Sequence, residues 1–221
     1  TDAALVTQRD TQGLADTDSG VLHGVVHVDL GVTGGAHRDV DEGVTPQSGE
    51  HVVVEGHGGG DVRGAGAVEI EQEGCDLVVS GGGTVVVIDT RTGLPRSLRA
   101  GGRELLERPA ELNIWRAPTD NDRHVRLEWE RAHYHQAVAR AYGVDVDEEP
   151  GCVTISADVG LVAPSVQPAL RGRLVWTLTD DGVLSLSLRL RRALGFPSLP
   201  RLGLRLFLPE AMNQVDYYGL G

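Results

Sequence analysis

The sequence predicts an all-β chain, part of a large antiparallel sandwich, behind a poorly structured N-terminal segment. Three observations carry this. Val183 to Leu190 alternates strictly between apolar and polar residues, the pattern of a strand with one face in a core and one in water. Leu170 to Thr179 alternates likewise, and only Asp180-Asp181-Gly182 separates the two, so they read as a hairpin. Leu202 to Leu208 repeats the alternation, and several strands at short spacing argue for sheet packed on sheet.

Composition breaks near residue 69. Residues 1–68 lack Ile, Phe, Tyr, Trp, Met, Asn, Lys and Cys, and hold five of the eight histidines. They carry 11 acids and 3 arginines, net −8, against 21 acids and 17 arginines, net −4, in residues 69–221. Valine-rich pieces occur at 21–28 and 51–54, but glycine interrupts the surrounding chain and no aromatic is available to fill a core. Ordering a glycine-rich backbone costs entropy that so little apolar burial does not offset. Residues 1–68 therefore read as a low-complexity Gly/Val/Asp-rich segment, either disordered or translated from the wrong frame of GC-rich DNA. Residues 69–221 read as the folded part.

Within that part, Gly83 to Asp89 is a strand, and Thr90-Arg91-Thr92-Gly93 is a turn whose glycine is free to take positive φ. Leu94 to Leu98 returns, and Ala100-Gly101-Gly102-Arg103 turns again. One helix is expected over Val125 to Val138, with Leu127, Ala132 and His135 near one face and Trp129 and Tyr134 flanking.

A chain of 221 residues can bury one good core, or one and a fraction. Its net charge is −12, with no lysine and 20 arginines. Nucleic acid and anionic membrane surfaces are not expected partners, because both need a dominant positive patch. No apolar run reaches the roughly 18 residues of a membrane span, and no basic and apolar leader opens the chain. A cytoplasmic location follows by default. Cys75 and Cys152 lie far apart without metal-ligand spacing and read as free, part-buried thiols.

The most specific stretch is Asn113-Ile114-Trp115-Arg116-Ala117-Pro118-Thr119-Asp120-Asn121-Asp122. Before it, Val85 to Leu106 runs strand, Asp-x-x-x-Gly turn, strand, then Gly102-Arg103-Glu104-Leu105-Leu106; after it comes a segment around Trp129. Val215-Asp216-Tyr217-Tyr218-Gly219-Leu220-Gly221 closes the chain. In this order, over roughly Ala67 to Gly221, these features resemble the last large domain of family-two β-galactosidases, its small-chain region. The resemblance implies a galactose-mutarotase-like supersandwich, here truncated, packing beside a catalytic barrel. It implies retaining hydrolysis of terminal β-galactosides by two glutamates about 5 Å apart, supplied by barrel strand ends. No counterpart of that pair is expected in this chain, so no catalytic residue is assigned. The same holds for cofactors: none is expected here, and the family's barrel typically uses magnesium and sodium. Expected partners are galactose or a β-galactoside, and a barrel-bearing β-galactosidase chain.

The resemblance also places the loop after Asp120-Asn121-Asp122 near the sugar. Arg116, Asp120, Asn121 and Asp122 are the candidate substrate-proximal residues, because Asp and Asn hydrogen-bond hydroxyls and Arg orients carboxylates. The alternative is a buried turn in which Arg116 pairs with Asp120 or Asp122 and Asn121 satisfies loop backbone. The family commonly has a glycine at or just after Arg123; here there is none, so no mobile-loop role is carried over. A carbohydrate-binding module without catalysis and a small subunit of a two-chain enzyme remain the other readings.

No metal site is expected. His133 and His135, two apart on a helix, would face different directions, and Asp145-Val146-Asp147-Glu148-Glu149 lacks the glycine and spacing of a calcium loop. Gly58-Gly59-Gly60 and Gly81-Gly82-Gly83 read as linkers rather than phosphate loops. Of Trp115, Trp129 and Trp176, at least two are expected in the core.

Overall fold

A computed structural model describes residues 67–212 and, as backbone only, two strands at 21–28 and 51–54. The readings of Gly58-Gly59-Gly60 and of Val215 to Gly221 lie outside the described residues. Among the described residues the architecture is antiparallel β, apart from one parallel pair, with one short α-helix. In chain order the strands are β1 (Val21–Val28), β2 (His51–Val54), β3 (Glu69–Glu73), β4 (Asp76–Gly81), β5 (Thr84–Asp89), β6 (Leu94–Ala100) and β7 (Arg103–Glu104). Next come β8 (Arg108–Asn113), helix α1 (Val125–Arg131), β9 (Val138–Glu149), β10 (Cys152–Val162), β11 (Leu170–Thr179), β12 (Leu184–Arg192) and β13 (Gly203–Phe207).

They form a five-stranded sheet in the order β3-β4-β5-β6-β7, a six-stranded sheet β2-β1-β12-β11-β10-β9, and the ribbon β13-β8. The alternation expected in β12 is met on its inner face: Leu184, Leu186, Leu188 and Leu190 are all buried. The same holds for Leu170, Leu174, Trp176 and Leu178 of β11 and for Val153, Ile155, Ala157, Val159 and Leu161 of β10. Each such leucine contributes about 1.5–3 kcal/mol by leaving water. Leu77, Val79, Val86, Ile88 and Leu98 of the five-stranded sheet join them in one continuous core.

Two close approaches lock sheet to sheet. At the β5–β6 turn Gly93 has φ +71°, and a Cβ there would lie 2.7 Å from the Ala157 Cβ, so glycine is required. The freed space lets the Trp176 indole reach in and donate Nε1–H to the Gly93 carbonyl at 2.9 Å, a buried bond. At the other end, Gly82 of the β4–β5 turn sits against the backbone of Asp181 and Gly182, and the Thr84 hydroxyl donates to the Gly182 carbonyl at 2.8 Å. The Gly81-Gly82-Gly83 run is therefore a hairpin turn packed on a second hairpin, not a linker; Gly82 and Gly83 have φ +55° and +82°.

One other expectation is corrected. The helix is shorter than Val125 to Val138. It ends at Arg131, His133 enters the left-handed region at φ 56°, and Tyr134–Gln136 is a single 3-10 turn. The buried side chains are Trp129 and Tyr134, while Leu127 is 45% exposed. The break rotates Tyr134 inward, which a continuous helix would not do. The segment 1–68 contributes strands within it: β1 pairs antiparallel with β12, Val21 opposite Arg191 through Val28 opposite Leu184, and β2 pairs parallel with β1. The rest of that segment lies outside the described residues.

Candidate functional site

β8 delivers the chain from the core into the Asn113–Asp122 motif, and β13 pairs with β8 alongside it, Gly203 opposite Asn113. Ile114 is 1% exposed and pins the strand end. The Asn113 amide closes the exit turn, donating Nδ2–H to the Trp115 carbonyl at 2.8 Å and accepting the Trp115 N–H at 3.2 Å. Pro118 favours an extended residue before it, and the chain then turns into a 3-10 turn at Asp120–Asp122.

Arg116 and Asp122 meet across this turn in a two-point ion pair, Nη1 to Oδ2 at 2.5 Å and Nη2 to Oδ1 at 3.0 Å. Asp122 also accepts the Thr119 N–H at 2.7 Å and the Thr119 hydroxyl at 2.9 Å. Arg116, and then Thr119, hold the Asp122 carboxyl well below the usual carboxylate range, against the opposing effect of burial. An anion so stabilised keeps its charge at neutral pH and is a poor proton donor. Of the two pairings open to Arg116, the fold selects Asp122.

The four candidates thus divide. Arg116 and Asp122 are joined and largely buried, whereas Asp120 and Asn121 are exposed beside them. Among the described residues neither the Asp120 nor the Asn121 side chain makes a hydrogen bond to protein. The closed turn holds the backbone, and two polar side chains are left to face outward.

A second layer escaped the sequence reading. The loop between β12 and β13, Phe196-Pro197-Ser198-Leu199-Pro200, is tied to the motif by three of its backbone carbonyls. Arg116 Nε–H donates to Pro200 O at 3.1 Å, Trp129 Nε1–H to Ser198 O at 2.9 Å, and the Tyr134 hydroxyl to Pro197 O at 2.7 Å. The Arg116 guanidinium also lies 5.3 Å from the Trp129 ring, within cation–π range. Burial pushes the Tyr134 phenol well above its ordinary value. The signal was present as two prolines in five residues, since proline leaves carbonyls without adding donors.

Trp129 and Trp176 are core residues, while Trp115 is half-buried, edge-on to Trp129 and 5.5 Å from the His135 ring. His133 and His135 stack at 6.1 Å, which the broken helix permits. Among the described residues no three His, Cys, Asp or Glu side chains are grouped to hold a metal ion. Asp145 to Glu149 is the exposed end of β9. Cys75 and Cys152 are free, the first exposed and the second half-buried. No described helix is long and apolar enough to cross a membrane.

Residues 80–221 match the family described as "Beta galactosidase small chain". The chain belongs to that family. A β-galactosidase of Actinobacillus pleuropneumoniae is 32% identical over 153 residues, covering 69% of this chain and 15% of that protein. One of Staphylococcus xylosus is 38% identical over 109 residues, 49% of this chain and 11% of the relative. One of Lactobacillus delbrueckii subsp. bulgaricus is 31% identical over 164 residues, 71% and 15% respectively. This small-chain segment therefore spans about 15% of the length of such relatives. The Arg116–Asp122 turn and the β12–β13 loop that Arg116 ties down both fall inside the matched span.

Proposed function

We propose that this chain acts as an accessory part of a β-galactosidase, the first portion of its terminal supersandwich domain, packing beside a catalytic barrel that another stretch of polypeptide supplies. In that setting Asp120 and Asn121 contact the sugar or the barrel loop that holds it, and Arg116 and Asp122 position them. One observation carries this: the Arg116–Asp122 pair is satisfied within the turn, while the two adjacent polar side chains are exposed and unbonded among the described residues. The match to a family described as a β-galactosidase small chain supports terminal β-galactosides as the substrate class.

Retaining hydrolysis needs an acid and a nucleophile about 5 Å apart. Asp122 serves as neither, since Arg116 and Thr119 occupy its oxygens and keep it ionised. The chain alone is expected to turn over no β-galactoside. A reducing, cytoplasmic setting accords with the two free thiols.

The test is complementation. A β-galactosidase polypeptide that lacks the small-chain region is mixed with this chain, and hydrolysis of a nitrophenyl β-galactoside is followed. Restored turnover is expected, with KM raised about tenfold, roughly one lost hydrogen bond's worth, when the D120A/N121A chain replaces the parent. Co-purification of the two polypeptides without any gain in hydrolysis would overturn the reading. So would galactoside hydrolysis by the pure chain.

A further inference from the structure

Among the described residues, one outer face of the sandwich carries arginines and the other carries glutamates that make no ion pair. On the six-stranded sheet, β11 and β12 place Arg171 directly opposite Arg191 and Arg173 directly opposite Arg189. All four are exposed. Like charges directly opposite one another destabilise a sheet, so this arrangement is costly in the isolated chain. Arg173 is compensated by Asp158 at 2.9 Å and Asp145 at 3.8 Å. Among the described residues no carboxylate lies in ion-pair range of Arg171, Arg189 or Arg191. Tyr142, 51% exposed, lies beside them with Arg171 5.1 Å from its ring, and the group lines an open cleft of about 500 Å³.

On the opposite side, edge strand β3 points Glu69, Glu71 and Glu73 outward, all exposed, while Ile70 packs against the core. Among the described residues none of the three has a basic partner, whereas the other acids of that sheet's strands, Asp76, Asp89 and Glu104, are paired with Arg96, Arg91 and Arg99. Val78, Val85 and Val87 form a half-buried strip beside the glutamates on the same face.

We propose that these two faces are one interface: the arginine face of one copy of this chain docks the glutamate edge of a second copy. Alternate residues of a strand repeat every 6.6–6.8 Å, roughly, whether they are Arg189 and Arg191 or Glu69, Glu71 and Glu73. Two sheets laid face to face sit about 10 Å apart, a gap that an arginine and a glutamate reaching toward each other span. Tyr142 meets the valine strip, the aromatic-on-aliphatic contact common at interface centres. The two patches lie on opposite sides of one molecule, so the contact is head-to-tail and extends into a stack rather than closing as a dimer. Exposed ion pairs are individually weak and screened by salt, which makes the association weak and salt-sensitive.

Sedimentation velocity of the full chain at low salt and at about 0.5 M salt, where the screening length is only a few ångström, reads this directly. Concentration-dependent association at low salt is expected, weakened at least about tenfold by the added salt. The R189E/R191E chain and the E69R/E71R chain each remain monomeric alone, with far-ultraviolet circular dichroism showing that both fold. Mixed together they associate again, because the swapped faces complement each other. A monomer at low salt overturns the proposal, as does association that survives either swap or a mixture that stays apart. Binding of the unassociated chain to polyglutamate through Arg189 and Arg191 would mean another acidic polypeptide occupies the face, and the proposal fails on that result too.

Discussion

Arg116 holds Asp122 with two hydrogen bonds and, through its Nε–H, holds the carbonyl of Pro200, 84 residues away in sequence. One guanidinium thus joins a local turn to a distant loop. Planar, multi-donor geometry is what lets arginine do both; a lysine would make a single point contact.

Acid sensitivity follows from this pair. The folded-state pKa of Asp122 is depressed, so its contribution is fully present above the ordinary carboxylate value of 3.8 and is lost as pH falls through the lower folded value. Asp89 and Glu104 are shifted in the same direction, Asp89 first by Arg91 and Glu104 by bonds that outweigh its burial. Urea midpoints measured from pH 6 downward should fall for the parent chain. The D122N chain should start lower and show a shallower decline, by up to about one proton's worth of slope.

Alkaline behaviour isolates Tyr134. Its folded pKa is raised above the ordinary 10.0, chiefly by burial, so the stability it contributes is present below pH 10 and lost as pH rises beyond it. Y134F removes the hydroxyl bond to Pro197 and should cost about 1 kcal/mol at pH 7 in denaturant unfolding. The same variant should lose less stability than the parent above pH 10.

Gly93 tests the contact between sheets. G93A puts a methyl against Ala157 at a position with φ +71°, combining overpacking with backbone strain. A loss of roughly 2–4 kcal/mol in denaturant unfolding is expected. A loss under about 0.5 kcal/mol, of the order typical of surface positions, would mean the turn moves away freely.

Trp176 tests the other half of that contact. W176F keeps the aromatic bulk but leaves the Gly93 carbonyl without its donor in a buried site, at a cost of about 1–3 kcal/mol. Combined with G93A the losses should be non-additive, because the two residues share one bond. A double-mutant cycle with no coupling would separate the hydrogen bond from the packing.

How far the sequence reaches is visible element by element. Leu184 to Leu190 announces a half-buried strand because side chains alternate across a sheet, and the buried leucines match. Val153, Ile155, Ala157, Val159 and Leu161 of β10 alternate in the same way, although no strand is read there from the sequence. β9 is harder, since as an edge strand it is exposed on much of its length and its pattern is diluted. α1 is shorter than its apolar spacing suggests, because spacing does not reveal the left-handed residue at His133 that ends the helical run.

The class of fold, the hairpins and the family can be read from local pattern, since each depends on residues close together in the chain. The motif around Asn113 to Asp122 was legible for the same reason. Long-range packing is what selects Asp122 over Asp120 for Arg116, and what brings the carbonyls of a loop more than 60 residues away to Trp129, Tyr134 and Arg116. Local pattern records which face of a strand is apolar. It does not record which backbone oxygen, brought in by another strand, lies within 3 Å of a given donor; that depends on how the sheets pack.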